Sequence, residues 1–198
     1  MKKILFLSVT FALLIAGSAF KYNFQKKASF QPVAVIELFT SQGCSSCPSA
    51  DQLLAQTIND AKNDGKKIFA LSFHVDYWNR LGWADPFSSK EFSQRQSAYA
   101  SQLNLNGVYT PQMVVNGSRQ FVGSDEHELK EALNKSLNTV PVAAFKALSA
   151  TLQNNTPPQV KFSLDGAYAG CNINFALVSL SETTSIKRGE NGGLTLTN

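Results

Sequence analysis

An α/β fold with a parallel core and a small antiparallel β module behind it is the class that the sequence predicts. Three observations carry this. The first is a strand–helix–strand succession between Val33 and Val75. The second is an Asn116-Gly117 turn between two short apolar runs. The third is a change after Pro141 from helical periodicity to strict alternation. At 198 residues and 43% hydrophobic content the chain can bury a real core.

The opening stretch, "MKKILFLSVTFALLIAGSAF", has Lys2 and Lys3, an apolar run from Ile4 to Ile15, and small residues Gly17 and Ala19 at cleavage spacing. Residues 1–19 are expected to be a signal peptide, and retention as an anchor in the inner membrane is the alternative. The apolar run is short for a membrane span. Residues 20–32, with Lys21, Lys26 and Lys27, are expected to form a solvated linker. The formal net charge of +4 and the pI near 9.0 therefore owe part of their size to lysines of the leader. No basic patch interleaves with aromatics, so no nucleic-acid partner is expected, nor stable membrane insertion once the leader is removed.

The first strand is expected over Val33–Phe39, where "VAVIELF" is nearly continuous apolar sequence interrupted by Glu37. "SADQLLAQTINDAKNDG" follows as a helix, with Leu54, Ile58 and Ala61 at helical spacing and Gly65 as its stop. "KKIFALSFHV" supplies the second strand, which makes a right-handed βαβ unit and a parallel sheet. After the aromatic stretch "DYWNRLGWADPFSS", Ser88 and Glu91 stand at capping-box spacing ahead of a helix bearing Phe92, Tyr99 and Leu103 on one face. "VYTPQMVVNGSRQFVG" reads as a loop and a β-hairpin. A last helix starts near Ser124 or Asp125 and carries Leu129, Leu133 and Leu137. Beyond Pro141, "VKFSL" (160–164) and "CNINFALV" (171–178) alternate and are expected to be strands of the β-rich module over 141–198.

Cys44 and Cys47 fall where the first strand feeds the helix. A thiol at a helix N-terminus meets unpaired backbone N–H groups and the positive end of the helix dipole, both of which favour thiolate. Cys44 is expected to attack from the first turn and Cys47 to resolve from one turn further in, since that spacing brings two side chains within disulfide range. Pro48 suits a first turn, where its missing N–H costs little. Ser45 and Ser46 lie between the cysteines. A structural disulfide and half of a metal site remain open. The first would close only a four-residue loop and stabilise weakly; the second would need His74, His127, Cys171 or a carboxylate at no recognisable ligand spacing. No metal ligand set and no cofactor is expected.

Four further features bear on the site. Glu37 is either a buried carboxylate that shuttles the proton of Cys47 or a strand residue that reaches solvent or caps a neighbour. His74, Asp76, Tyr77, Trp78 and Trp83 crowd the end of the second strand, as an aromatic wall over Cys44 or as a local hydrophobic cluster. Cys171 is a small buried hydrophobe or an exposed thiol. His127, in a helix first turn, is expected to be solvated.

From Val33 to Val140 the order of elements resembles the thioredoxin superfamily, with "CSSCP" at the first strand-to-helix junction and "YTP" ahead of the hairpin. The resemblance implies that Thr110-Pro111 is a cis-proline loop beside Cys44. It also implies that the backbone at Thr110 pairs with an extended substrate peptide, flanked by Tyr77 and Trp78. In place of the aromatic flank usual before the first cysteine, this chain has Gln42-Gly43. "ELFTSQGCSSCP", "SFHVDYW", "LGWADPFSS", "YTPQMVV" and "RGENGG" resemble more closely a bacterial family of exported proteins classed as a domain of unknown function. Members continue past the stretch similar to "RGENGGLTLT", so the resemblance implies that the β module is truncated here. Together these readings give an exported thiol–disulfide oxidoreductase, periplasmic or secreted, acting on protein or small-molecule thiols with an unidentified redox partner. The rival is a periplasmic metal-binding (copper or zinc) or redox-silent protein-interaction module on the same scaffold.

Overall fold

The computed structural model describes residues 30–153 and 156–197. The expected signal peptide, and the linker up to residue 29, lie outside the described residues.

Four strands make the central sheet: β1 (Ala34–Thr40), β2 (Ile68–His74), β3 (Gln112–Val115) and β4 (Arg119–Val122), in the order β2-β1-β3-β4. β1 and β2 run parallel, joined by α1 (Cys47–Asn63), while β3 pairs antiparallel with both β1 and β4. A six-residue 3-10 helix (Asp76–Leu81) and α2 (Lys90–Gln102) connect β2 to β3, and α3 (Glu126–Leu137) follows β4. This order and these directions are the thioredoxin-like arrangement.

Alternation along β1 sorts its side chains between two cores. Ile36 and Leu38 join Met113, Val115 and Phe121 under Ala50 and Leu54 of α1 and Leu129 and Ala132 of α3. Phe39 and Val114 pack on the opposite face with Val75, Phe73, Trp78 and Tyr99. The sheet is covered on both sides, which is why β1 is almost wholly apolar.

The local signals behave as their chemistry requires. Asn116 and Gly117 both take positive φ (48° and 64°), the conformation for which the hairpin turn selects them. Asp125 caps α3 by accepting the Glu128 N–H. The cap of α2 is Ser89, which accepts from the Glu91 N–H, not Ser88. Ser88 is drawn off by the loop before it, donating to the Asp85 carbonyl and accepting from Asn79.

Behind the core, β5 (Ala143–Thr151) and β6 (Gln159–Gly166) form one antiparallel hairpin, and β7 (Thr183–Ser185) and β8 (Thr195–Thr197) another. The expected strand over 171–178 is absent: the segment is irregular, with Leu177 83% exposed. Alternating side chains make a strand only where a neighbouring backbone completes the ladder. Residues 171–178 pair with no strand among the described residues, although Phe175 does lie on Phe162, ring centroids 5.7 Å apart.

Candidate functional site: a buried disulfide under three loops

β1 ends in the turn Ser41–Ser46, where the chain must change direction before α1 can begin. Cys44 donates its N–H to the Ser41 carbonyl and accepts from Cys47 N–H, both at 3.1 Å. The helix starts at Cys47, with Ser46 at the N-cap and Pro48 in the first turn. Cys44 thus precedes the helix, one turn earlier than the sequence suggested, because Ser45 and Ser46 are spent in a turn. The cysteines form a disulfide with Cα atoms 5.4 Å apart, and both are 0% exposed.

The loop before β3 reaches the same sulfur. The Thr110-Pro111 bond is cis. The Thr110 hydroxyl donates to Cys44 Sγ at 3.4 Å and accepts from Trp78 Nε1 at 2.7 Å. Ser46 Oγ lies 3.4 Å from the same Sγ. Trp78 therefore reaches the pair through Thr110, whereas the Tyr77 hydroxyl turns to Gln96 at 3.2 Å. Trp83 donates to the Gln42 side chain.

A buried ionic layer lies beneath. Asp85 Oδ2 accepts from the Gln42 N–H at 2.8 Å and sits 2.7 Å from His74 Nδ1, tying the aromatic loop to the cysteine turn. Burial pushes Asp85 up, but the His74 hydrogen bond and charge, with the N–H groups of Gln42 and Phe87, hold it below the usual carboxylate range. Asp51 stands four residues after Cys47, on the same face of α1 and the adjacent turn. One of its oxygens accepts from Thr40 Oγ1 at 3.3 Å; the other, Oδ1, has no hydrogen-bond partner among the described residues. Burial raises the Asp51 pKa to about 6 against the opposing pull of Thr40 and His74.

Glu37 is buried, and its hydrogen-bond partners are not the cysteines. β1 alternation puts it on the face covered by α2, opposite the helix that carries Cys47. There it is clamped by Arg95 Nε and Nη2 at 2.6 and 2.8 Å and by the Tyr99 hydroxyl at 2.7 Å. Burial and the Glu37 carboxylate push Tyr99 up to about 12. Asp51 is the carboxylate on the cysteine side, and burial raises it. An acid four residues after the second cysteine was the available signal, hidden because α1 is polar along much of its length. Cys171 is exposed, and His127 is exposed beside Glu131.

The third loop comes from the far end of the chain. Asn191, 3% exposed, donates through Nδ2 to the carbonyls of both Gln42 and Cys44 at 2.9 Å. Glu190 Oε2 accepts from the Ser45 N–H at 3.0 Å. No local pattern points to these contacts, which span about 145 residues of chain.

Comparison with known proteins agrees with this architecture. The family model described as "Protein of unknown function (DUF1223)" matches residues 35–198, and the chain belongs to that family. A crystal structure of an Agrobacterium tumefaciens protein is 30% identical, with a TM-score of 0.60 over 85% of this chain and 79% of that one. HBP35 of Porphyromonas gingivalis is 16% identical over 71% of this chain and 44% of its own, with a TM-score of 0.49. A Wuchereria bancrofti thioredoxin is 15% identical over 58% of this chain and 78% of its own, with a TM-score of 0.29. No curated protein matches.

Proposed function

We propose that this member of the family is an exported thiol–disulfide oxidoreductase that exchanges its Cys44–Cys47 disulfide with thiols of proteins or small molecules. The carrying observation is the pairing of that disulfide with a hydroxyl donor, Thr110, aimed at the Cys44 sulfur from the cis-proline loop. In exchange, a substrate thiolate attacks Cys44, Cys47 leaves with the electron pair, and a second substrate thiol releases the oxidised product and a Cys44 thiolate; the reverse direction oxidises the protein. As thiolate, Cys44 would gain the Thr110 hydrogen bond, which Trp78 orients.

Cys47 needs a proton when it leaves and must lose one when it attacks. Asp51 is the group on its helix face with a pKa, about 6, suited to both. Export belongs to the proposal, because disulfides persist outside the reducing cytoplasm; the periplasm or secretion satisfies it equally. Among the described residues no helix is long and apolar enough to cross a membrane.

The test uses the full chain with its N-terminal segment. Cys47→Ala should accumulate covalent adducts that a reductant dissolves, Cys44→Ala few, and the mass of the recovered chain should report cleavage after Ala19. Equal absence of adducts from both variants, with the wild type folded, would return the protein to a redox-silent or metal-binding module.

A further inference from the structure

Disulfide exchange needs a thiolate to approach one sulfur nearly in line with the S–S bond. Both cysteines are 0% exposed, so something must move. The element across the Gln42–Ser45 backbone is the turn Arg188–Gly193 between β7 and β8. Asn191 binds two carbonyls there and Glu190 one N–H.

On its other side this turn lies against the aromatic loop, backbone to backbone. A Cβ on Gly189 (φ +78°) would come within 3.1 Å of Trp83 Cβ, and one on Gly82 within 3.4 Å of Gly189 Cα. The hold is narrow. β7 and β8 are three residues each and pair only with one another among the described residues, and within 183–197 only Ile186 and Asn191 are buried. An isolated two-stranded hairpin is marginal, and segments with few buried contacts open at low free energy.

We infer that the Arg188–Gly193 turn is a strap that shuts the Cys44–Cys47 disulfide and must lift for exchange, with Asn191 as its latch and Glu190 as the residue that links lifting to reduction. This inference rests on the oxidoreductase reading. Reduction by a dithiol breaks the S–S bond and passes two electrons to the protein, the dithiol closing to its own disulfide. Cys47 takes up a proton and Cys44 remains as thiolate. That new anion appears beside Ser45, whose N–H the Glu190 carboxylate already occupies. Cys44 and the Ser45 N–H that holds Glu190 are on adjacent residues, so the two anions repel, the reduced site weakens the strap, and by reciprocity the closed strap disfavours the thiolate. The strap thus covers the oxidised site and frees the reduced one.

The experiment follows reduction of the oxidised full chain by dithiothreitol in stopped flow, reading fluorescence of Trp78 and Trp83. Asn191→Ala and Glu190→Gln should each be reduced about tenfold faster than wild type, within the usual range of coupling between two sites. Gly189→Val, which pries the turn from Trp83, should accelerate reduction in the same way and serves if Asn191→Ala does not fold. Hydrogen exchange at the Ser45 amide should be protected in the oxidised protein and lose that protection on reduction. Unchanged rates in variants whose near-ultraviolet circular dichroism matches wild type would overturn the inference. So would equal Ser45 protection in both states, or acceleration by Trp78→Ala alone. None of these readouts needs a substrate, so they stand apart from the adduct test of the function itself.

Discussion

Two hairpins in this chain have much the same backbone chemistry and opposite surroundings. β3–β4 has strands of four residues, and every β3 side chain is buried. β5–β6 has strands of nine and eight residues, and not one of its side chains is. The longer ladder makes more hydrogen bonds, so pairing is not what separates the two. β3 lies between β1 and β4 with helices above and below, whereas β5–β6 gains no third strand or covering helix among the described residues. Burial comes from stacking layers, and a lone hairpin has only one.

The sharpest way to break this comparison is to delete equal volumes from both regions. Leu38→Ala, in the core under α1, should cost about 2–5 kcal/mol, while Leu148→Ala, at 59% exposure in β5, should stay within roughly 0.5 kcal/mol in a urea melt. A comparable loss at Leu148 would mean that the β5–β6 face is covered in solution.

Next in size is the pH response of two carboxylates that meet the cysteine turn from different regions. The folded-state pKa of Asp51 is raised from 3.8 to about 6, so the native state binds the extra proton between those values and stability falls as pH rises through them. Asp51→Asn should flatten that decline, an effect on the order of 1–3 kcal/mol at 1.4 kcal/mol per unit. Glu190 has the opposite sign. The Ser45 hydrogen bonds hold its pKa below 4.5, so its contribution is present above that value and is lost as pH falls through its lowered pKa. A decline between pH 3.8 and about 6 that survives Asp51→Asn would show that Asp51 is not its source.

An effect of similar size is steric and tests how tightly the core meets the proline loop. A Cβ on Gly123 would stand 3.0 Å from Leu38 Cδ1 and from Pro111 Cβ, and 3.2 Å from Ala50 Cβ. Gly123→Ala should therefore cost about 1–3 kcal/mol by overpacking, with a matching fall in melting temperature. No loss at all would show that the junction of sheet, helix and proline loop is looser than its distances.

Much of the core was legible because its causes are local. Apolar runs, an Asn-Gly turn and an Asp cap each specify backbone within a few residues, and β1, α1, β2 and the hairpin follow from them. The expected strand over 171–178 failed for the complementary reason: alternation describes a strand's faces, and only a partner supplies its ladder. Ser89 displaced Ser88 as a cap because the Asp85 loop competed for the serine.

The cysteine pair at the strand-to-helix junction, with a proline loop ahead of a hairpin, was written in the order of residues, since short-range spacing determines which side chains share a turn. The tertiary structure decided which carboxylate lies on the cysteine side. Glu37 and Asp51 are both acids near the pair in sequence, and strand parity sends the first to Arg95 while helix phase brings the second under Cys47. It also decided that Asn191 and Glu190 close over Gln42, Cys44 and Ser45. Contacts across nearly 150 residues leave no periodic trace, because they depend on where two distant segments come to rest.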